Sequence, residues 1–512
     1  MFKQFLIGID IGTTGCKIGL FSTDGKIIQK AYHEYGTIFM NNGWAEEIPQ
    51  VWWEDICSGI HDVLHESGID STLIAGLSIS CTNALIPVDR NGNPLHNAIM
   101  QMDNRSQEQV DKIVQIFGDE KLLDIASNRA APGTCWAPVI LWLKENRTDI
   151  YNKIYKFLSP TGFIVQKLTG KFTIDFSRAS TTLLFDVKNC CWSTEICNQI
   201  GISENLLPDL FAGDNIIGHV TAEAAKITGL AVGTPVAVGV MDTVSAMVGA
   251  GVIHPGELLI IMGTVSRCCY RTVNPIFDDR MINAAFMSSS TWFSLAPSNG
   301  CGISMRWFKE TFCEYETQYA KESGLSPYML IDKASEEVSP GSNGLIYLPY
   351  LNGERSPVWD HSARGVFFGF SSSHKKAHFS RAIMEGVAYS IKQNLDIIEK
   401  IDGVNVKEVK LCGGCSSSYI WRKIIADVLG KTVRTVENTD TEALGSALIA
   451  AKGVGILIDY DEISTLVNLL PEIIEPDPKN TSIYNRYYKV YKNLYPILKD
   501  EYSHLYQFER MV

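Results

Sequence analysis

Apolar residues open the chain in short blocks. Phe5–Asp10 and Lys17–Phe21 are rich in β-formers and flank the Gly/Thr-rich segment Ile11–Cys16; Thr23–Gly25 then turns the chain into Lys26–Gln29. This spacing predicts a β-hairpin followed by a third strand. The pattern restarts near the middle. Val236–Val240 is a continuous apolar strand ending at Met241–Asp242, Leu258–Met262 ends at Gly263–Thr264, and Val409–Cys412 runs into Gly413–Gly414. Helical spacing follows: within Phe379–Lys400, Ile383, Val387, Ile391 and Leu395 recur every four residues and form one apolar face. Ile420–Leu429 reads as a helix stopped by Gly430, and Thr439–Glu442 as a capping box that opens a helix over Ala443–Lys452.

Leu230–Ile253 is long enough to span a bilayer and holds a single charge, Asp242. Pro235, four glycines and that central carboxylate favour a buried strand followed by a buried helix. The reading is therefore α/β: an N-terminal domain over residues 1–250, a C-terminal one over 251–470, and a tail over 471–512 that is helical from about Pro478 and packs on the outside. A length of 512 residues exceeds what one hydrophobic core fills. Hydrophobic content of 46% with 20% charged residues describes a folded globular chain. The net charge of −12, without a long basic run, argues against nucleic acid or an anionic membrane as partner. Thirteen scattered cysteines with one C-x-x-C, Cys412–Cys415, and no second ligand pair suit a reducing cytoplasm better than zinc or secretion. The start, MFKQFLIGID, meets an acidic residue too early for a signal peptide.

Chemistry concentrates where the strands end. In Gly8-Ile-Asp10-Ile-Gly12-Thr13-Thr14-Gly15-Cys16-Lys17 the glycines let backbone N–H groups approach phosphate oxygens. Asp10 offers a hard oxygen for Mg²⁺ through water. Read locally, the segment is equally an ordinary hairpin turn. Asp242 follows an apolar run and needs a partner or a task. Gly263-Thr264-Val265-Ser266 and Leu411-Cys-Gly-Gly414-Cys-Ser-Ser-Ser418 repeat the glycine and hydroxyl theme. Four such turns in two similar halves suggest a nucleotide held in a cleft between two related domains.

From about Phe5 to about Lys452 the chain resembles the FGGY carbohydrate kinases, which have the actin/hexokinase-like (ribonuclease H-like) ATPase fold. The resemblance rests on Gly365-Val-Phe-Phe-Gly369-Phe370, seven residues, then His378-Phe379-Ser-Arg-Ala382-Ile383-Met384-Glu385, with Phe370 where an aliphatic residue is commoner. A second signature is partly kept in Cys135–Trp142, with Val139 where the pattern has lysine. The resemblance implies two related domains with the active site in the cleft between them, ATP and Mg²⁺ as cofactors, and a small-molecule sugar as partner. It leaves a homodimer open.

The resemblance also implies residue roles. Asp10, Gly12, Thr13, Thr14 and Lys17 look like the first phosphate loop, with Asp10 the metal ligand. Gly263 and Thr264 look like the second phosphate contact, Gly302 and Arg306 like residues flanking the nucleotide, and Gly414 with Ser418 like the adenosine motif. Asp242 matches the catalytic base, and Thr82, Asn83, Asp103, Asp242 and Thr243 fall on the sugar side.

Within the family the xylulokinase branch is most similar, through Gly43–Pro49 with Trp52-Trp53 and through Pro349–Pro357. The chain departs from it at Thr82-Asn83-Ala84, where that branch has Met-His-Gly, and at Gln101–Arg105, where it has Trp-Asn-Asp-Gly-Arg; Asp103–Ser106 is like the gluconokinase branch. Phosphorylation of D-xylulose to D-xylulose 5-phosphate leads the expectations. Gluconate, another ketose or a polyol is the alternative substrate, and an actin- or chaperone-like ATPase switch the alternative class. Arg105 either pairs with a sugar carboxylate or is locked by Asp103 or Glu354. Trp44, Trp52 and Trp53 either stack on a sugar or pack in the interior.

Overall fold

The computed structural model describes residues 4–40, 43–400 and 406–509. The chain forms two compact units: Met1–Pro255 with Arg271–Ser294 and Asp440–Val467, and Gly256–Tyr270 with Leu295–Thr439 and Asn468–Val512. The chain first crosses between units next to residue 255, then returns twice, so each unit is assembled from distant segments.

In the first unit Phe5–Ile11 and Gly15–Ser22 pair antiparallel, and Ile27–Glu34 adds the third strand. On the other side Phe5–Ile11 pairs parallel with Ile74–Cys81, a strand buried at every position. Alternation sends Ile7, Ile9 and Ile18 into the core under helix Pro49–Ser67. Gly8 points to the opposite face, against helix Thr441–Gly453, where a Cβ would stand 1.9 Å from the Ala443 carbonyl oxygen. Only glycine lets strand and helix approach this closely, and the approach brings the start of that helix over Asp10.

Two expectations change here. The run Val236–Val240 is two strands, Pro235–Ala237 and Val240–Met241, because Gly239 has φ +83° and a Cβ there would meet the Ile79 carbonyl at 2.2 Å. Helix Asp242–Gly249 follows, so the strand-then-helix reading of this segment holds. Among the described residues no helix is long and apolar enough to cross a membrane. The capping box at Thr439–Glu442 does not form: helix Thr441–Gly453 has Asp440 at its N-cap without a side-chain cap bond. The Asp440 carboxylate is drawn away by Lys17 at 3.3 Å and Lys30 at 2.9 Å.

The second unit repeats the hairpin. Leu258–Met262 pairs antiparallel with Ser266–Thr272 and parallel with Glu408–Cys412, after which Thr432–Val436 and Leu469–Ile474 extend the sheet. Helix Lys376–Ile398 carries the expected apolar face, and Tyr419–Leu429 ends at Gly430 in the left-handed region, φ 66°. The tail is helical over Pro478–Glu509, but it is more than an outer cover: Tyr484, Tyr488 and Tyr491 are buried, their rings set edge-on or tilted around Tyr389.

Candidate active site

In the first unit three strands end side by side. Val240–Met241 pairs with Ser80–Cys81, which pairs with Asp10–Ile11, and the Thr82 N–H donates to the Ile11 carbonyl at 2.8 Å. Two loops and a helix start therefore leave one end of the sheet together: Gly12–Thr14, Thr82–Asn83 and Asp242–Thr243. Carboxyl ends of strands are where α/β sheets take ligands. The first turn is pinned by Tyr35, whose hydroxyl donates to the Gly12 carbonyl at 2.7 Å and whose N–H donates to Thr14 O at 3.0 Å. Thr13 Oγ1 lies 3.4 Å from Thr82 Oγ1, and Thr14 is exposed.

Charge gathers at this edge. Asp10 is buried and accepts from the Ser80 hydroxyl at 2.7 Å. Burial, then the charges of Glu442 and Asp242, push its carboxyl up to about 7, although Ser80 and Lys17 act the other way. Burial would lower the pKa of Lys17, yet the carboxylates of Glu442, Asp10 and Asp440 outweigh it and hold the ammonium above its usual range. Asp242 is the first residue of its helix, a position that favours a carboxylate. It is half-buried, and its Oδ1 accepts from the Thr243 N–H at 2.6 Å and hydroxyl at 3.1 Å. Thr243 is buried and serves to orient this carboxylate. Glu442 was not visible as a site residue from sequence; helix Thr441–Gly453 carries it to Asp10 from the far end of the chain.

Around Thr82–Asn83 the structure shows more than the sequence suggested. Asn83 Nδ2 donates to the Thr134 carbonyl at 2.6 Å, which fixes the amide, and its Oδ1 is left buried without a partner among the described residues. Gln101 accompanies it. Its N–H donates to Asn83 O at 3.1 Å, its Nε2 reaches Thr13 Oγ1 at 3.5 Å, and its Oε1 is likewise buried and unpartnered. Arg178 Nη2 holds the Cys81 carbonyl at 2.9 Å from below, with Asp175 as its neighbouring carboxylate.

Asp103 is placed differently from the sugar contact that the resemblance implied. Its side chain has no exposed surface, and its oxygens accept from Ala45 N–H (2.6 Å), Arg105 N–H (2.9 Å), Arg105 Nε (2.9 Å) and Arg105 Nη2 (2.8 Å). Arg105 is fully enclosed as well. Nη1 stands 2.8 Å from Glu46 Oε1 as an ion pair off the hydrogen-bond direction, and the guanidinium lies over Trp44 at 4.1 Å and Trp142 at 5.1 Å. The two open readings of Arg105 thus resolve to the locked one, with Asp103 and Glu46 as partners. Trp44 stacks on Arg105, while Trp52 and Trp53 are in the core, Trp52 donating to Glu47 at 2.8 Å.

In the second unit, Gly263 and Thr264 form the hairpin turn, with Gly263 N–H donating to Val265 O at 3.0 Å. Their carbonyls accept from Gly302 and Ile303 N–H, each at 3.0 Å, so this turn caps helix Gly302–Phe312. Arg306 is exposed one turn along. Gly302 is required by packing: a Cβ would meet the Gly263 carbonyl at 2.7 Å and Cys415 Sγ at 2.9 Å. Gly413 is too, at 2.7 Å from Met262 O with φ +91°. Gly414 is not, since none of the described residues lies within 4 Å of its Cβ position. Ser418 is the N-cap of helix Tyr419–Leu429, accepting from the Trp421 N–H at 3.3 Å.

Comparison with known proteins gives the class. The family models for the FGGY family of carbohydrate kinases match the chain over residues 5–249 (N-terminal domain) and 258–454 (C-terminal domain). The chain belongs to this family, and it is an ATP-dependent sugar kinase with the family's α/β fold. It is 30% identical to the xylulose kinase of Bacillus subtilis (strain 168) over 500 residues, 97% of this chain and 98% of that protein. It is 28% identical to the gluconokinase of Bacillus licheniformis over 516 residues, 99% and 98% of the two chains. The crystal structure of xylulose kinase from Rhodospirillum rubrum superposes with a TM-score of 0.88 at 25% identity, covering 98% of this chain and 100% of that one.

Proposed function

We propose that the first unit takes a neutral ketose, D-xylulose first among them, and that Asp242 accepts the proton of its primary hydroxyl as that oxygen attacks the γ-phosphorus of ATP. The observation that carries the substrate choice is a pair of buried acceptors with no partner among the described residues, Asn83 Oδ1 and Gln101 Oε1. Buried acceptors without donors are costly and are satisfied by hydroxyl O–H groups, which a neutral sugar supplies in number. A sugar acid would need a free cation. Arg105 is not one, being held by Asp103 and Glu46, and Arg178 is tied by Nη2 to the Cys81 carbonyl, with the Asp175 charge acting on it.

Phosphoryl transfer asks for positioning and charge neutralisation more than covalent chemistry. Asp242 is half-buried at a helix start and oriented by Thr243, and a base so placed contributes about 10²–10⁴ in rate. The Gly12–Thr14 turn presents backbone N–H groups and two hydroxyls for phosphate oxygens. Lys17 sits on the next strand opposite Asp10. Gly263, Thr264, Gly302, Arg306, Gly414 and Ser418 are assigned to the nucleotide, with Gly414 leaving space for it. Asp103 is assigned to hold the sugar loop through Arg105. The donor set at Asp10 suits Mg²⁺: a hard carboxylate oxygen in the field of two further carboxylates, an excess of negative charge that a cation relieves. Bound there, Mg²⁺ would neutralise phosphate charge.

The protein is read as cytoplasmic. The alternative of an ATPase switch is weakened by a half-buried carboxylate that follows the strand end next to Thr82–Asn83, an arrangement suited to an alcohol. An ADP-release assay over D-xylulose, other ketoses, polyols and gluconate tests the reading. D-xylulose should give the highest kcat/KM and gluconate at least about tenfold less, the loss expected when a buried polar match is broken. Equal ADP release with every compound and with none would overturn it.

A further inference from the structure

The C-x-x-C of the sequence is divided by the fold. Cys412 closes a buried strand, whereas Cys415 lies in the turn Gly414–Ser417, half-buried, against a different cysteine. That cysteine is Cys301, fully buried at the N-cap of helix Gly302–Phe312. Cys415 Sγ packs on the α-carbon of Gly302, 2.9 Å from where a Cβ would stand, and donates to the Gly263 carbonyl at 3.7 Å. The same carbonyl accepts the Gly302 N–H at 3.0 Å. The two thiols are within hydrogen-bonding reach, so the pair bridges the phosphate turn, the helix start and the Gly414 turn.

We propose that Cys301 and Cys415 form a reversible disulfide that switches off nucleotide binding by the second unit. The switching rests on the assignment of Gly263, Gly302 and Gly414 to the nucleotide; the disulfide itself does not. Cys415 is the attacking sulfur: it is the accessible one, and the Cys301 thiol and then the Arg306 charge hold it below the usual thiol range, although burial opposes them. Cys301 is held above that range by its bond to Cys415 and by burial, which suits the resolving role.

With hydrogen peroxide as oxidant, the Cys415 thiolate attacks one peroxide oxygen, the O–O bond breaks, and the departing hydroxide takes a proton to become water. Cys301 then gives up its thiol proton, and its sulfur displaces hydroxide from the Cys415 sulfenic acid, which leaves as the second water. Two thiols and one peroxide become one disulfide and two waters. Closing the S–S bond to about 2.05 Å draws the Cys415 sulfur across Gly302 and off the Gly263 carbonyl. That shift pulls the Gly414 turn into the space a nucleotide needs.

The test treats the full chain with hydrogen peroxide and follows intact mass, peptide linkage and ATP binding. The expected result is a loss of about 2 Da, a peptide cross-linked through Cys301 and Cys415, and ATP binding weakened at least about tenfold, all reversed by a dithiol. Cys301→Ser and Cys415→Ser, with Cys301→Ala as a second choice should serine in the core impair folding, should bind ATP like the parent before treatment and keep that affinity after it. A linkage through Cys412, or no linkage, overturns the site. A mapped Cys301–Cys415 bond with ATP affinity unchanged overturns the switch. Failure of the reduced parent to bind ATP would instead count against the nucleotide assignment, and the mapped linkage would still decide the disulfide.

Discussion

The two hairpins share a backbone and differ in chemistry. In the first, Asp10 pairs across with Lys17 and sideways with Ser80; in the second, the matching positions are Ile261, Arg267 and Cys412. Gly12-Thr13 and Gly263-Thr264 follow at the same offset, and each glycine N–H closes its turn onto a nearby carbonyl, Gly15 O in one and Val265 O in the other. One hairpin therefore carries a buried carboxylate in the field of Glu442 and Asp242. The other has an isoleucine there, and its turn carbonyls cap a helix. In the proposed assignment the same fold unit would handle reacting charge in one place and hold a ligand by backbone in the other, and the exchange of Asp10 for Ile261 is the sharpest of the three differences.

The largest effect expected from this division is at the carboxylate edge. Asp242→Asn keeps size and hydrogen-bonding reach but cannot accept the proton, so kcat should fall by about 10²–10⁴. ATP affinity, assigned to the other unit, should be unchanged by calorimetry. Turnover within a few-fold of the parent would show that the base lies elsewhere.

Exchanging the paired positions comes next. Asp10→Asn should lower kcat by about tenfold or more and weaken its Mg²⁺ dependence, because the anionic oxygen is replaced by a neutral amide while the fold gains from relief of a buried charge. Ile261→Asn at the matching site should act on stability instead, costing about 2–5 kcal/mol through lost packing and a buried amide. Denaturant melts and steady-state rates on both variants decide the matter. A catalytic loss from Ile261→Asn without loss of stability would erase the distinction between the hairpins.

Much of this division was legible in the sequence, because strand-end glycines and aspartates are local signals. Asp10, Asp242 and the Gly263 turn stand where short apolar runs stop. What was hidden depends on partners distant in the chain. Glu442 reaches Asp10 only because Gly8 lets a helix from residues 441–453 sit on the first strand. The capping box failed for a related reason, since Lys17 and Lys30 compete for Asp440. Gln101 stood out in sequence as a lost tryptophan; its role as an acceptor needed the Asn83 and Thr13 contacts. Asp103 looked like a ligand group because buried and ligand-facing carboxylates read alike until their donors are counted.

A gentler probe is the glycine pair at the end of Glu408–Cys412. Gly413→Ala should unfold the second unit's sheet end, with a Cβ 2.7 Å from the Met262 carbonyl and a positive φ. Gly414→Ala meets nothing of the chain, so its melting temperature should match the parent while KM for ATP rises a few-fold. An unchanged KM would move the base of the nucleotide away from Gly414.

The last comparison separates two carboxyls that burial raises to about 7. Asp10 stands at the working edge of the first unit. Glu354 is enclosed in the second, accepting from the Ser298 hydroxyl at 2.7 Å and from the backbone N–H groups of Asn299 and Arg355. Burial raises Glu354 from 4.5 to about 7 against those bonds and the nearby Arg355 charge. Its folded pKa lies above the unfolded one, so between those values the folded state keeps a proton that the unfolded chain has released. The stabilisation is complete below pH 4.5, declines by up to about 1.4 kcal/mol per pH unit, and is gone above pH 7. Glu354→Gln retains acceptors and donors for the same partners but does not titrate. The melting temperature of the variant, minus that of the parent, should rise from pH 5 to pH 8. A constant difference would show that Glu354 titrates as it does in the unfolded chain.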